Sequence, residues 1–334
     1  MYSVQQIADK INGIVDGNPN LTILGVCDLK NSIKEHITFF SDRKYLEHLY
    51  NCKASAIIVN SNIKIQKNKK TLIKVKNPAY EFISVIKMFY AKSKIKKTIH
   101  NSSTISKNAK IGKNVYIGPN VFIGDHVIIH NNVSIGANSV INESSVLGEG
   151  CLLHSNITIY NDVEIGSNCI IESGSAIGSD GFGLVKYDNK FHKIPHIGKV
   201  IIKNDVWIGT NCCIDRGTLN DTVIDEGTKI DNLVHIAHNV NIGKNCILAA
   251  QVGIAGSTIV EDDVTIAGQV GIIGHLTIGS GSTIASKSAV FKSLPSNSFV
   301  SGIPAKKHKD RIKQDVAISK LPDILYRIRS LEKK

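Results

Sequence analysis

The sequence has little of what marks membrane, secreted or nucleic-acid-binding proteins. Its 334 residues contain no run of about 18 apolar side chains, so we expect no membrane-inserted segment. The N-terminus, MYSVQQIADKINGIV, lacks a basic region followed by an apolar one, so no secretion signal is expected. No recognition helix, zinc finger or aromatic-basic RNA motif is present, and nucleic acid is therefore not an expected partner.

Paired cysteines and common nucleophile motifs are also missing. The seven cysteines are scattered and form no C-x-x-C, which is typical of unpaired thiols in a reducing compartment and predicts a cytoplasmic protein. No cysteine pairs recognisably with a histidine, and no G-x-x-x-x-G-K-[ST] phosphate loop occurs. The segment DGFG (180–183) lacks every other kinase element, so we interpret it as a turn.

The chain has a net charge of +12, and its positive charge is concentrated at the two ends. Residues 1–100 hold 17 Lys/Arg against 7 Asp/Glu, residues 101–304 hold 13 against 17, and residues 305–334 hold 10 against 4. A lysine-rich solvated surface explains the N-terminal excess best. The C-terminal excess predicts either a helix packed along the protein or attraction of an acidic partner.

A period of six residues organises the centre of the chain. Every sixth residue from Ile105 to Ile177 is aliphatic, which gives thirteen positions, and three more follow from Ile202 to Ile214. Twelve further positions run from Ile224 to Val290. The period breaks at 178–200, before Ile202, and slips by a few residues near Leu219-Asn220. A period of six fits neither an α-helix nor a two-faced strand, and it is typical of a parallel β-helix. We predict a mainly β fold, a left-handed parallel β-helix of about nine coils.

Both ends depart from the period of six. We predict three parts: a small N-terminal α/β domain at 1–100, the β-helix at 101–304, and a helical basic tail at 305–334. The predicted N-terminal elements are helices at 3–11 and 79–91, the second capped by Asn77, and strands at 21–27, 37–40, 55–60 and 71–75. A linker is expected at 93–103, and the tail predicts helices at 311–320 and 323–334, on either side of Pro322.

The segment IDNLVHIAHNV (230–240) carries polar side chains that the repeat does not need. His238 follows Asp231 and Asn232 and precedes Asn239, and imidazole suits proton abstraction near neutral pH. The glycine-rich coil AAQVGIAGST (249–258) either supplies backbone N–H groups to an oxyanion or holds ordinary corner glycines.

Metal binding is the competing use of histidine. His235-x2-His238 and His192-x3-His196 could each be ligand pairs, and some β-helix carbonic anhydrases join three histidines across a trimer. Their ligand spacing is not reproduced, and an N-terminal domain would be unexplained. We therefore expect no metal.

Several motifs in order resemble bacterial UDP-3-O-acylglucosamine N-acyltransferases of lipid A biosynthesis. They are HITFFSDRKYLEHL (36–49), CKASAIIV (52–59), KNPAY (76–80), SDGFG (179–183), KIPHIGKVII (193–202), IDRGTLNDTVI (214–224), IDNLVHIAHNV (230–240) and SGIPAK (301–306). The resemblance implies transfer of an (R)-3-hydroxyacyl chain from acyl carrier protein to the 2-amine of UDP-3-O-acyl-glucosamine by a homotrimer. It implies no cofactor beyond the donor's phosphopantetheine.

The resemblance also assigns roles to residues. His238 matches the general base, Gly256 the oxyanion N–H, and His275 a second active-site histidine. Phe39 and Tyr45 match the aromatic pair that sandwiches uracil, and Asp42 stands where the family often has Asn. Asp231, Asn232 and Asn239 are expected to bind substrate. Lys306, Lys307 and Arg311 are expected to dock acyl carrier protein, which is acidic.

One departure from the family pattern keeps different activities open. His235 stands where the N-acyltransferases often carry Gln, and the O-acyltransferase of the same pathway has histidine there. That enzyme acts on UDP-N-acetylglucosamine, lacks this N-terminal domain, and has Asp after its catalytic histidine, whereas Asn239 follows here. A sugar acetyltransferase that uses acetyl-CoA and a non-catalytic β-helix scaffold also fit the repeat pattern.

Overall fold

The computed structural model describes residues 1–63, 70–90 and 98–332. The chain divides into two compact units, Met1–Lys94 and Ile95–Lys334. Residues 93–97 of the predicted linker lie outside the described residues. The three-part division at 100 and 304 stays a prediction.

The N-terminal unit is built on a five-stranded sheet. Its strands, in spatial order, are Ile14–Asp16, Thr71–Val75, Ala56–Asn60, His36–Phe40 and Gly25–Val26. The first pair is antiparallel and the others are parallel. A separate pair joins Tyr2–Ser3 to Thr22–Ile23. The helices are α1 (Val4–Lys10), α2 (Leu46–Asn51), α3 (Pro78–Phe89) and a 3₁₀ turn at Arg43–Tyr45.

Local sequence accounts for most of these elements. The Ser3 hydroxyl accepts the Gln6 N–H at the start of α1, and the Asn77 side chain accepts the Tyr80 N–H at the start of α3. The predicted strand at 21–27 is two short strands. The strand Ile14–Asp16 and helix α2 were not predicted, because each is too short to show a clear period.

The second unit contains a parallel β-helix, as the period of six predicts. One sheet consists of Tyr116–Ile117, Ser134–Ile135, Leu152–Leu153, Ile170–Ile171, Trp207–Ile208, Lys229–Ile230, Ile247–Leu248, Thr265–Ile266, Thr283–Ile284, Phe299–Ser301 and Lys306–Lys307. The second consists of Thr104–Ile105, Phe122–Ile123, Val140–Ile141, Thr158–Ile159, Ala176–Ser179, Cys213–Asp215, His235–Ile236, Gly253–Ile254, Gly271–Ile272 and Ala289–Val290. The third consists of Lys110–Ile111, Ile128–Ile129, Val146–Leu147, Glu164–Ile165, Val200–Ile202, Thr222–Ile224, Asn241–Ile242, Ile259–Val260 and Thr277–Ile278.

Each coil stacks its aliphatic residue on the equivalent residue of the next coil. Ile117 pairs with Ile135, for example, and both side chains are fully buried in the prism. The glycine after the aliphatic is required by close approach of the next coil: a methyl group built on Gly136 would lie 2.6 Å from the backbone nitrogen of Ser155. At many corners the residue two positions after this glycine has a left-handed backbone conformation. Asn114, two residues after Gly112, has a φ of 55°.

The predicted break at 178–200 is an antiparallel hairpin, Leu184–Tyr187 with Lys190–Lys193. The hairpin returns the chain to the prism at Val200–Ile202. A second irregularity, at 217–221, brings the Asn220 carbonyl against Gly198 and Gly217. The two interruptions therefore belong to the same region of the prism.

The C-terminal tail forms α4 (His308–Ser319) and α5 (Leu321–Glu332), with Pro322 in the first turn of α5. No residue described in either helix is buried, and the start of α4 contacts the last strands of the prism. The Phe299 ring stacks on His308 at 4.1 Å between centroids. Among the described residues, no helix is long and apolar enough to cross a membrane.

Candidate active site

His238 lies at a corner of the prism, and Asn239 fixes which ring nitrogen is free. The Thr218 N–H donates to Oδ1 of Asn239 at 3.0 Å, and Nδ2 of Asn239 donates to the Asn220 carbonyl at 2.8 Å. These two bonds set the orientation of the amide. Oδ1 lies 3.0 Å from Nδ1 of His238, so Nδ1 carries the proton that it donates to Oδ1. Nε2 of His238 is therefore a lone-pair acceptor.

Gly256 lies in the next coil, directly over the imidazole. A methyl group built on Gly256 would lie 2.7 Å from Cε1 and 2.8 Å from Nε2 of His238, so only glycine fits beside the ring. At comparable corners a side chain from the next coil accepts the N–H, as Asp262 does for Lys244. The matching position for Gly256 is Gly274, which has no side chain. Within the described part of the chain, the Gly256 N–H has no hydrogen-bond partner.

An apolar cavity of about 590 Å³ opens next to His238 and Gly256. Its wall contains Gly253, Gly271 and Ala289, which stand in one column of the second sheet after His235. A methyl group built on Gly253 or Gly271 would meet nothing within 4 Å, so these small residues leave the face open. Bulkier apolar residues, Phe182, Ile254, Ile272, Ile273 and Phe291, complete the wall.

Asp215 lines the same cavity, although its sequence position gave no indication of a role. The residue is 7% exposed, and Oδ1 accepts a hydrogen bond from the Ser179 hydroxyl at 2.9 Å. Burial raises the pKa of the Asp215 carboxyl, against the opposing effects of Ser179 and of histidines 235, 238 and 196. Oδ2 lies 3.7 Å from Nε2 of His235, which is an ion-pair distance but too long for a hydrogen bond.

The insertion that interrupts the repeat supplies a further histidine. His196 packs edge-on against His238, with 5.3 Å between ring centroids and 74° between planes. The sequence pattern suggested His196 only as a metal ligand. His196 belongs to the KIPHIG motif, which resembles the family. Its contact with His238 could not be predicted, because it joins a segment outside the repeat to a corner of the prism. In the part of the chain that the structure describes, no three His, Cys, Asp or Glu side chains are arranged to hold a metal ion.

Three further predicted site residues lie away from this cavity within one chain. Asp231 and Asn232 line a separate depression of about 430 Å³ with Trp207, at the corner before the strand His235–Ile236. His275 is exposed, has a left-handed backbone with φ 63°, and does not line the His238 cavity. Its N–H donates to the Gly256 carbonyl at 3.1 Å.

The predicted uracil pair shares a cavity in the N-terminal unit. Phe39 and Tyr45 both line a space of about 610 Å³, and the Phe39 ring lies 4.8 Å from Phe82. Tyr45 is 45% exposed. Asp42 is not among the lining residues: its carboxylate accepts the Lys44 N–H at 3.0 Å and caps the 3₁₀ turn. That hydrogen bond holds the pKa of Asp42 below its ordinary value.

The predicted docking residues differ in whether an acidic side chain of the same chain balances their positive charge. Lys306 and Lys307 are exposed in the last strand, and Nζ of Lys306 donates to Gln314 at 3.2 Å. Arg311 forms an ion pair with Asp315 at 2.9 Å, one turn along α4. The guanidinium charge is therefore partly balanced within the chain.

A prism of six-residue repeats, with an imidazole lone pair and a free N–H beside an apolar cavity, defines a hexapeptide-repeat acyltransferase. The family described as UDP-3-O-(3-hydroxymyristoyl) glucosamine N-acyltransferase, LpxD, matches residues 20–88. Bacterial transferase hexapeptide repeats match 108–143, 144–179 and 221–256, and the hexapeptide repeat of succinyl-transferase matches 126–161.

Two relatives of this chain have the same name. A UDP-3-O-acylglucosamine N-acyltransferase of Methylacidiphilum infernorum is 44% identical over 100% of this chain and 95% of its own length. One from Thermosynechococcus vestitus is 45% identical over 93% of this chain and 92% of its own. The chain belongs to the UDP-3-O-acylglucosamine N-acyltransferase family, and it is an acyltransferase.

Solved structures resemble a smaller part of the chain. An Arabidopsis UDP-N-acetylglucosamine acyltransferase has a TM-score of 0.59 and 29% identity, and the match covers 63% of this chain and 73% of that one. A UDP-N-acetylglucosamine O-acyltransferase of Moraxella catarrhalis has a TM-score of 0.50 and 27% identity, over 65% and 77% of the two chains. The predicted family and β-helix fold are confirmed.

Proposed function

We propose that the protein transfers an (R)-3-hydroxyacyl chain from an acyl carrier protein thioester to the 2-amine of UDP-3-O-acyl-glucosamine, with His238 as general base. The observation that carries the proposal is the pair formed by His238 and Gly256. Asn239 leaves a lone pair on Nε2 of His238, and no described residue accepts a hydrogen bond from the Gly256 N–H in the adjacent coil. One group accepts a proton and the other donates to a developing oxyanion.

The reaction balances with these two groups. The amine nitrogen attacks the thioester carbon while Nε2 of His238 takes one amine proton, and the carbonyl oxygen becomes an oxyanion that the Gly256 N–H stabilises. Collapse of the tetrahedral intermediate breaks the carbon–sulfur bond, and the imidazolium returns its proton to the thiolate. No group beyond the donor's own phosphopantetheine is needed.

The two cavities have matching uses in this proposal. The apolar cavity beside His238 suits an acyl chain, because the column Gly253, Gly271 and Ala289 leaves room along the sheet. The cavity that Phe39 and Tyr45 line suits a flat base, since two aromatic rings can stack on it. Contact of Asp42 with uridine is part of the same proposal.

A homotrimer is part of the proposal. Asp231 and Asn232 lie at a different prism corner from His238, so one chain alone does not bring them together. Packing of prisms side by side would place the Asp231 corner of one copy by the His238 corner of the next, and His275 by the same cleft. A light-scattering mass of three chains is expected, and a monomer that is fully active would refute this assembly.

The cytoplasm is the proposed location. All seven cysteines lie among the described residues, and every one is a free thiol. Cell fractionation with a tagged chain tests it, and recovery in a periplasmic fraction would contradict the proposal.

The experiment for the function compares His238→Ala with His130→Ala, an exposed histidine elsewhere on the prism. His238→Ala should reduce turnover by roughly 10²–10⁴-fold, as for loss of a general base. His130→Ala should keep the wild-type rate, and both should melt near the wild-type temperature. An unaltered rate for His238→Ala would refute its role.

The same assay separates the candidate activities when donor and acceptor are varied. Acyl carrier protein and acetyl-CoA are each offered with UDP-3-O-acyl-glucosamine and with UDP-N-acetylglucosamine, and products are weighed by mass spectrometry. We expect product only from acyl carrier protein with the amine acceptor. If UDP-N-acetylglucosamine is the only acceptor that gives product, O-acylation is favoured. If acetyl-CoA is the only donor that supports turnover, an acetyltransferase is favoured.

A further inference from the structure

His196, in the segment after the inserted hairpin, has a ring nitrogen with no use in the fold. The side chain is 6% exposed, and Nδ1 lies 2.8 Å from the Ile194 carbonyl. A carbonyl only accepts hydrogen bonds, so Nδ1 carries the proton and Nε2 carries a lone pair. Nε2 is buried and has no hydrogen-bond partner among the described residues. An unpaired buried acceptor is costly, so its position calls for an explanation.

The unpaired nitrogen lies beside the catalytic imidazole. A methyl group built on Gly181 would lie 2.9 Å from Nε2 of His196 and 2.8 Å from both Cβ and Cδ2 of His238. The two histidines therefore flank the same glycine of the SDGFG segment. A methyl group on Gly183 would lie 2.8 Å from Cε1 of His196. Both glycines leave space that the His196 ring occupies.

We propose that His196 is a positioning residue that stabilises the positive charge His238 gains when it takes the amine proton. Neutral His196 carries the negative end of its ring dipole at Nε2, which flanks the same glycine, Gly181, as the His238 ring. Few water molecules reach a side chain this deeply buried, so the dipole acts at low local dielectric. The inference rests on the proposed role of His238 as base.

The charged groups near the two rings are the carboxylates of Asp180 and Asp215, the Lys193 ammonium and the Arg216 guanidinium. Asp215 acts on His238, His196 and His235. Asp180, paired with Lys193 at 2.7 Å, acts on His196 and Arg216. Asp215 is the carboxylate that acts on His238 directly, whereas Asp180 acts on His196 and has its charge balanced by Lys193. The neutral dipole of His196 adds to the effect of the Asp215 carboxylate on His238, whereas a protonated His196 would oppose it.

The test compares His196→Leu, which removes the lone pair, with His196→Gln, whose amide oxygen can accept or face a positive charge. His196→Leu should lower kcat/KM about tenfold at neutral pH, because the base weakens and the transition-state charge loses its dipole. The acid limb of the kcat/KM profile should move to lower pH, because the variant no longer has the dipole that stabilises positive charge beside the base. KM for the UDP-sugar should not change, and His196→Gln should recover most of the rate.

The matched control is His192→Leu, an exposed histidine on the hairpin that precedes His196, which should keep the wild-type profile. Equal losses in His196→Leu and His196→Gln, with a lowered melting temperature, would assign His196 to packing and overturn the proposal. A wild-type acid limb and rate in His196→Leu would also overturn it. His238→Ala is assayed in parallel: if that variant is fully active, the proposed function itself fails. If only His196→Leu behaves as wild type, the function stands.

Discussion

At the residue scale, Asp215 is a buried carboxylate, and burial destabilises its charged form. The carboxyl lies in the His238 cavity, and its pKa is raised because burial outweighs the Ser179 hydroxyl and the nearby histidines. The folded protein therefore binds this proton more tightly than the unfolded chain does. Stability then falls as pH rises above the ordinary carboxyl pKa of about 3.9. The 3.7 Å ion pair with His235 is too long to reverse the balance.

Asp215→Asn should therefore melt higher than the wild type at neutral pH, by about 2 °C for a change near 1 kcal/mol. The amide still accepts from Ser179 and no longer carries a buried charge. The gain should vanish below about pH 4, where the wild-type carboxyl is protonated in both states. Melting curves across this range check the prediction, with Ser179→Ala as the control that should lower stability. A lower melting temperature for Asp215→Asn at neutral pH would mean that the ion pair stabilises the fold.

The sequence predicted site roles for His238 and Gly256, but it did not predict that His196 and Asp215 lie beside His238. His238 stands out because the repeat needs no histidine, and resemblance supplied the role of Gly256. Asp215 occupies an ordinary repeat position beside Ile214, and its burial depends on the insertion that covers it. The contact of His196 with His238 joins distant segments, so no local pattern predicts it.

At the element scale, a single column of the prism makes the site. His238, Gly256 and Gly274 occupy equivalent positions in successive coils, and the two glycines leave both the ring and an N–H uncovered. The period of six predicted the strands and the break at 178–200, because each coil repeats the same burial requirement. It could not predict the path of the inserted hairpin, whose residues follow no repeat.

Gly256→Ala should abolish most activity while the prism stays folded. The new methyl group would lie 2.7–2.8 Å from the His238 ring, and the ring must move away from its working position. We expect kcat to fall about 10²-fold, since loss of alignment alone can cost that much. Gly268→Ala is the control, because its methyl group would meet only the Ala250 carbonyl, at 3.4 Å. Steady-state kinetics with melting curves decide, and equal activity in the two variants would contradict the steric argument.

At the scale of the whole molecule, charge is separated along the second unit. The prism region is net acidic and the tail net basic, and no residue described in α4 or α5 is buried. A basic tail with no buried residue is consistent with the proposed docking of an acidic donor. Long-range attraction of this kind raises the rate of encounter and weakens with salt.

Reversing Lys306 and Lys307 to Glu should raise KM for acyl carrier protein about tenfold at low ionic strength, with kcat nearly unchanged, because rim charges mainly alter association. Arg311→Glu should have the smaller effect, since Asp315 already balances that guanidinium at 2.9 Å. Lys110→Glu, an exposed lysine in the strand at the far end of the third sheet, is the matched control and should behave as wild type. Added salt should raise the wild-type KM and shrink its difference from the double variant, because the Debye length falls to about 10 Å at 0.1 M. A KM that is indifferent to salt, or an equal effect of Lys110→Glu, would remove the tail from donor docking.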